Sequence, residues 1–204
     1  MHRRTYLQSV AAAGATASVA GCLGARSESG PERTVLGPPE QDLSAAAHPS
    51  YGDEMPEFTV PDPITGEDIS TAAFEGERAI LWTSFYTNCP DGVCPALVLR
   101  LRRAQEVAAE EGYTDDAVFL PLTFDPERDT ADALREYADE QGVDLDAGNW
   151  HFLRPERYEA GQELLDEHFG LVIEKAPADD NENLAYQFPH YGLIILANER
   201  GIVE

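Results

Sequence analysis

A buried-strand pattern from Ala79 to Phe85 runs through Tyr86-Thr87-Asn88-Cys89-Pro90-Asp91-Gly92-Val93-Cys94-Pro95 into a helical pattern, and this junction constrains the chain more than any other feature. The run is rich in residues that favour buried strands, and Pro95 suits the first turn of a helix, where its missing N–H costs nothing. Both cysteines are therefore expected on a strand-to-helix loop. Unpaired amide donors and the positive end of the helix dipole favour a thiolate there, which is both the nucleophile and the soft metal ligand. Redox chemistry and metal binding fit that position, and the plain alternative is a structural disulfide or a pair of small buried residues.

The rest of the domain alternates strands and helices. Phe58-Thr59-Val60 and Ile69, joined through Pro61-Asp62-Pro63-Ile64-Thr65-Gly66-Glu67, predict a short hairpin. From Pro95 to about Glu111, Leu97, Leu101, Ala104 and Ala108 recur at helical spacing among charged positions, which predicts an amphipathic helix lying on a sheet. Ala117 to Phe124 reads as a second buried strand, and Asp129-Thr130 as the cap of a helix over Ala131 to Gln141. A short strand over Trp150–Leu153, a helix from about Pro155 to Phe169, a polar loop through Ala176–Asn181 and a strand from Tyr191 to Ala197 complete the order. The pattern predicts an α/β fold, a mixed central sheet flanked by helices with an N-terminal β-hairpin, and a cysteine pair after an early strand makes it thioredoxin-like. Asn198-Glu199-Arg200-Gly201 looks like a hairpin turn, after which a partner strand and a closing helix are expected, so the C-terminal end reads as incomplete.

The N-terminus reads as an address. Arg3-Arg4 before a weakly apolar stretch from Val10 to Ala20 resembles a twin-arginine signal, and the stretch is too short to span a bilayer. Val19-Ala20-Gly21-Cys22 resembles a lipobox, which makes residues 1–22 a lipoprotein signal with Cys22 as the lipidated residue. The expected location is the extracytoplasmic face of the cell membrane, where disulfides persist. Residues 23–55, with few large apolar side chains, read as a flexible spacer, and 56–204 as one domain. The formal net charge of −24 with a single lysine, Lys175, argues against nucleic acid as a partner. The acids are spread along the whole domain, as in proteins adapted to high salt, where screening relieves the self-repulsion.

Three separate segments resemble the SCO/SenC copper chaperones, thioredoxin-fold proteins that assist assembly of the copper site of cytochrome oxidase. Phe85-Tyr86-Thr87-Asn88-Cys89-Pro90 with Val93-Cys94-Pro95 is similar to the family's cysteine loop; Asp125-Pro126-Glu127-Arg128-Asp129-Thr130 is similar to the segment after its next strand; His190 precedes Leu193-Ile194-Ile195-Leu196 and Gly201 as the family's metal histidine precedes its strand and turn. Two features depart from the family. Four residues, Pro90 to Val93, separate the cysteines where three are usual, and Gly92 can absorb the extra one in a left-handed bulge. Tyr191-Gly192 follows the histidine, where small residues are more usual.

The resemblance implies a metal set of Cys89, Cys94 and His190, soft ligands suited to Cu(I), with Cu(II) accommodated by an added ligand or rearrangement. Asp125 can orient the ligands from behind or simply cap the next turn. His151 and His168 read as structural and His48 as part of the spacer. The implied role is a membrane-anchored chaperone that delivers copper to a copper-receiving oxidase subunit or maintains that subunit's thiols, with no small-molecule organic substrate. The competing reading is an extracytoplasmic thiol-disulfide oxidoreductase in which Cys89 and Cys94 form the redox pair. A peroxiredoxin is excluded, because Tyr86 and Asp91 stand where a threonine is needed three residues before each cysteine.

Overall fold

The computed structural model describes residues 33–178 and 184–204. Strands β1 (Thr59–Asp62) and β2 (Glu67–Ser70) form the expected hairpin. Its turn is closed by the buried Asp62 carboxylate, which accepts the Ile64 N–H at 2.8 Å, and by Gly66 at a φ of 79°. After a 3₁₀ turn (Thr71–Phe74) come β3 (Ala79–Phe85), α1 (Val93–Glu111), β4 (Ala117–Thr123), α2 (Ala131–Gln141), α3 (Tyr158–Phe169) and β5 (Ile194–Ala197). The central sheet has the order β4-β3-β5, parallel between β3 and β4 and antiparallel between β3 and β5. No helix among the described residues is long and apolar enough to cross a membrane.

Strand alternation points Trp82 and Phe85 to opposite faces of the sheet. Trp82 stacks on Phe169 of α3 at 3.8 Å between ring centroids, while Phe85 lies against Tyr137 of α2 at 5.7 Å. Helix α1 buries Leu97, Val98 and Leu101 and contacts both β3 and α2. The sheet is thus covered on both faces, and its central strand carries buried side chains on each.

The strand expected over Trp150–Leu153 is present only as two parallel bridges beside β4, Phe119 to Trp150 and Leu122 to Leu153. The Phe119 and Thr123 N–H groups donate towards this segment, at 2.8 and 2.9 Å, but Pro121 between them has no N–H to give. One rung is missing, and the ladder divides there. His151 is structural, as expected: its Nδ1 lies 3.1 Å from Asp62 and ties the hairpin to this segment.

Composition places residues 33–55 in the spacer, yet from Arg33 onward the chain is bonded to the domain. Met55 is buried, its N–H donates to the Gly201 carbonyl at 2.7 Å, and the Glu204 carboxylate accepts the Val35 and Leu36 N–H groups at 2.7 and 2.8 Å. His48 Nδ1 lies 2.9 Å from the Pro49 carbonyl. Asn198–Gly201 makes the anticipated turn, with Val203 returning to bridge Ala197. The twin arginines, Cys22 and part of the polar loop after Ala178 lie outside the described residues.

Candidate metal centre

Helix α1 begins two residues earlier than Pro95 suggests, so Cys89 lies on the loop and Cys94 in the first helical turn. Gly92 is the capping residue, with a φ of 78°, and no neighbour within 4 Å of a would-be Cβ. The left-handed conformation, rather than crowding, is what calls for glycine. Pro95 still falls among the first helical residues, whose N–H groups have no partner inside the helix.

The cysteine loop is tied from below. The Thr87 N–H and hydroxyl donate to the Asp129 carboxylate at 3.2 and 2.5 Å, and the Thr123 hydroxyl donates to the same group. Asp129 is fully buried, and burial pushes its carboxyl up to about 6 against the pull of the threonine hydrogen bonds. Sequence pattern groups Asp129 with the cap of α2. Only Thr130 caps that helix, accepting the Ala133 N–H at 3.3 Å.

Three donor atoms from distant parts of the chain converge above this loop. His190 Nε2 lies 3.1 Å from Cys94 Sγ and 3.9 Å from Cys89 Sγ, and all three atoms fall within 4.8 Å of one another. His190 Nδ1 is 2.8 Å from the Phe188 carbonyl. A carbonyl can only accept, so Nδ1 carries a hydrogen and Nε2 faces the sulfurs, as a lone pair when the ring is neutral and as a donor when it is protonated. Cys94 is fully buried and Cys89 partly exposed, and both are free.

The two sulfurs are unequal. A hydrogen bond from the Cys94 thiol, aided by His190 and by the Cys94 N–H at 3.4 Å, outweighs burial and holds Cys89 down at about 5. Burial and then the neighbouring Cys89 push Cys94 strongly up. Burial alone would lower His190, but its contacts with Cys89 and the Phe188 carbonyl leave it raised. At neutral pH the arrangement therefore offers one partly exposed thiolate and one sheltered thiol, the pattern both of a dithiol reductant and of an apo soft-metal site.

Asp125 is buried but touches none of the three donors. Its carboxylate pairs with Arg128 and accepts the Tyr186 hydroxyl at 2.9 Å. Arg128 in turn donates to the Tyr186 carbonyl at 3.2 Å and lies 3.9 Å above the Tyr186 ring. Phe188 packs edge-on against Tyr86 and Phe124, both of which also contact the His190 ring. Asp125 thus reaches His190 indirectly, through Tyr186 and Phe188 and through Arg128 and Tyr86, as a clamp on the histidine loop. His168 packs against Phe58.

The sequence pattern singles out neither Arg128 nor Tyr186 for this site, since nothing local marks a contact across 58 residues. It also passes over Asp91, whose Oδ1 lies 2.8 Å from Cys89 Sγ. A carboxylate lying between two cysteines is the signal that would have found it.

A mixed sheet with a cysteine at the head of its first long helix and a histidine before an antiparallel strand defines a thioredoxin-like protein with a Cys-Cys-His pocket. The SCO1/SenC family model matches residues 47–204, and the chain belongs to that family. Its fold resembles the crystal structure of a SCO1/SenC family lipoprotein from Bacillus anthracis, with a TM-score of 0.59 and 23% identity over 74% of this chain and 81% of that one. It also resembles copper-bound ScoI of Bradyrhizobium japonicum, with a TM-score of 0.55 and 22% identity over 74% and 87%. For copper-bound yeast Sco1 the TM-score is 0.57, with 18% identity over 76% and 78%. No curated protein matches the chain in sequence.

Proposed function

We propose that the chain binds copper through Cys89, Cys94 and His190 and passes it by ligand exchange to the copper-receiving subunit of a terminal oxidase. The observation that carries this reading is the convergence of two sulfurs and an imidazole nitrogen within 4.8 Å, with Nδ1 already tied to Phe188. Two soft sulfurs and a nitrogen suit Cu(I) and need no further protein ligand. Solved relatives of the same fold carry copper, which supports the choice of metal. Arg3-Arg4 and the Val19–Cys22 stretch support export and a lipid anchor on Cys22, so Cys22→Ser should release the protein from washed membranes.

The inequality of the two sulfurs favours a second reading, a thiol-disulfide oxidoreductase. The Cys89 thiolate would attack a partner's disulfide, forming a mixed disulfide and expelling one partner thiolate. Cys94, once deprotonated, would then attack Cys89, leaving a Cys89–Cys94 disulfide and a fully reduced partner. His190 separates the two readings. His190→Ala should weaken Cu(I) binding about tenfold or more while reduction of a model disulfide continues at a comparable rate. Unchanged copper affinity in that variant would leave only the oxidoreductase.

A further inference from the structure

The histidine loop is held at both ends and meets the cysteine helix between them. Phe188, before it, is buried against the rings of Tyr86, Phe124 and Tyr186. After it, the hydroxyl of the fully buried Thr83 donates to the Leu193 carbonyl at 2.6 Å, where β5 joins the sheet. Between these anchors Pro189 and Tyr191 are exposed and His190 is half-buried. Gly192 has no side chain, and a Cβ there would lie 3.1 Å from Val93 Cγ1 and 3.6 and 3.7 Å from Leu97 Cδ2 and Cδ1. Its backbone, unlike that of Gly92, is not left-handed, so the close approach is what calls for glycine. Val93 directly precedes Cys94, and its β-branched side chain is confined to essentially one rotamer in a helix. The contact therefore couples the two segments in which this chain departs from its family.

We propose that Gly192 is a positioning residue that sets the separation of His190 from Cys94. With no side chain at 192 the loop closes on the first turn of α1, and His190 Nε2 comes to 3.1 Å from Cys94 Sγ. A methyl group at 192 would meet Val93 inside the roughly 3.5–4.0 Å at which carbon atoms attract best. Neither side yields freely. Val93 cannot turn without leaving its helical rotamer, shifting it shifts Cys94, and Leu193 is pinned by Thr83. The displacement, a few tenths of an ångström, falls on residues 190–192 and draws His190 from the sulfurs. That this separation serves a shared Cu(I) ion rests on the copper reading above, and the steric contact does not.

The test compares the reduced full chain with Gly192→Ala, Val93→Ala and the double variant. Cu(I) affinity is read by competition with a chromophoric chelator, and the metal-free geometry by the nuclear Overhauser effect between the His190 ring and the Cys94 β-protons. Gly192→Ala should weaken the Overhauser effect and lower Cu(I) affinity about fivefold to tenfold. The double variant, in which the smaller side chain at 93 clears the space, should return both to within about twofold of the parent, and Val93→Ala alone should stay within the same range. Rescue by a second truncation separates a steric contact from a general loss of loop structure, which that truncation would deepen. An unchanged Overhauser effect in Gly192→Ala, or a double variant no better than Gly192→Ala, would overturn the assignment. A weakened and rescued Overhauser effect in a protein that binds no Cu(I), or binds it equally well in Gly192→Ala, would refute the copper reading and leave the positioning role standing.

Discussion

Replacing Asp129 by asparagine tests whether the cysteine loop is anchored by a buried carboxylate. Burial raises this group from an ordinary value of 3.8 to about 6. A raised value means that the fold prefers the protonated form. The stabilisation is therefore complete below about pH 4 and is lost as pH rises through about 6. The gap between the two values amounts to on the order of 3 kcal/mol. In Asp129→Asn the side chain does not titrate, yet its amide can still accept from the Thr87 N–H and face the Thr123 hydroxyl. Urea denaturation of parent and variant at fixed salt, from pH 4 to 7.5, should show the variant gaining on the parent by on the order of 2–3 kcal/mol across that range. Repulsion among the many exposed acids affects both proteins and cancels in the difference. Curves that run parallel to within about 0.5 kcal/mol would refute the account of Asp129 as a buried, titrating anchor.

The clamp on the histidine loop predicts that Tyr186→Phe, which removes the hydroxyl donated to Asp125, lowers Cu(I) affinity about tenfold, and that Arg128→Ala, which also removes the stacked guanidinium, lowers it further. Disulfide reduction should be spared in both, and equal losses of the two activities would point to misfolding instead of a misplaced His190. The net charge of −24 predicts a melting temperature that rises from low to molar sodium or potassium chloride as screening relieves repulsion, and a flat or falling curve would contradict it.

Helix α2 is legible to the residue because its signals are local: Thr130 caps it and Leu134, Tyr137 and Ala138 repeat at helical spacing. The start of α1 is misplaced by the sequence because Pro95 is the stronger cue there, whereas the turn itself is set by the left-handed Gly92. The break at Pro121 is in principle readable, since a proline cannot feed both neighbours of an inner strand. Cys89, Cys94 and His190 are found through the resemblance, and the fold brings them together. Periodicity can assign Asp129 only to the helix beside it, because its partners Thr87 and Thr123 are fixed by tertiary packing. The clamp through Arg128 and Tyr186 is invisible in sequence for the same reason. Residues 33–55 look like spacer by composition, and only their hydrogen bonds to Gly201, Val203 and Glu204 reveal that they are held to the domain.

The central claim is that Cys89, Cys94 and His190 form one copper site. Its most direct test is Cu(I) titration of the reduced protein, with the ligands counted by X-ray absorption at the copper edge and the same titration repeated after Cys89 and Cys94 have been oxidised to a disulfide. The account predicts one copper per chain bound by two sulfurs and one imidazole nitrogen, and no comparable binding by the oxidised form. Copper bound with equal affinity by both forms, or with fewer than two sulfurs, would place the ligands elsewhere.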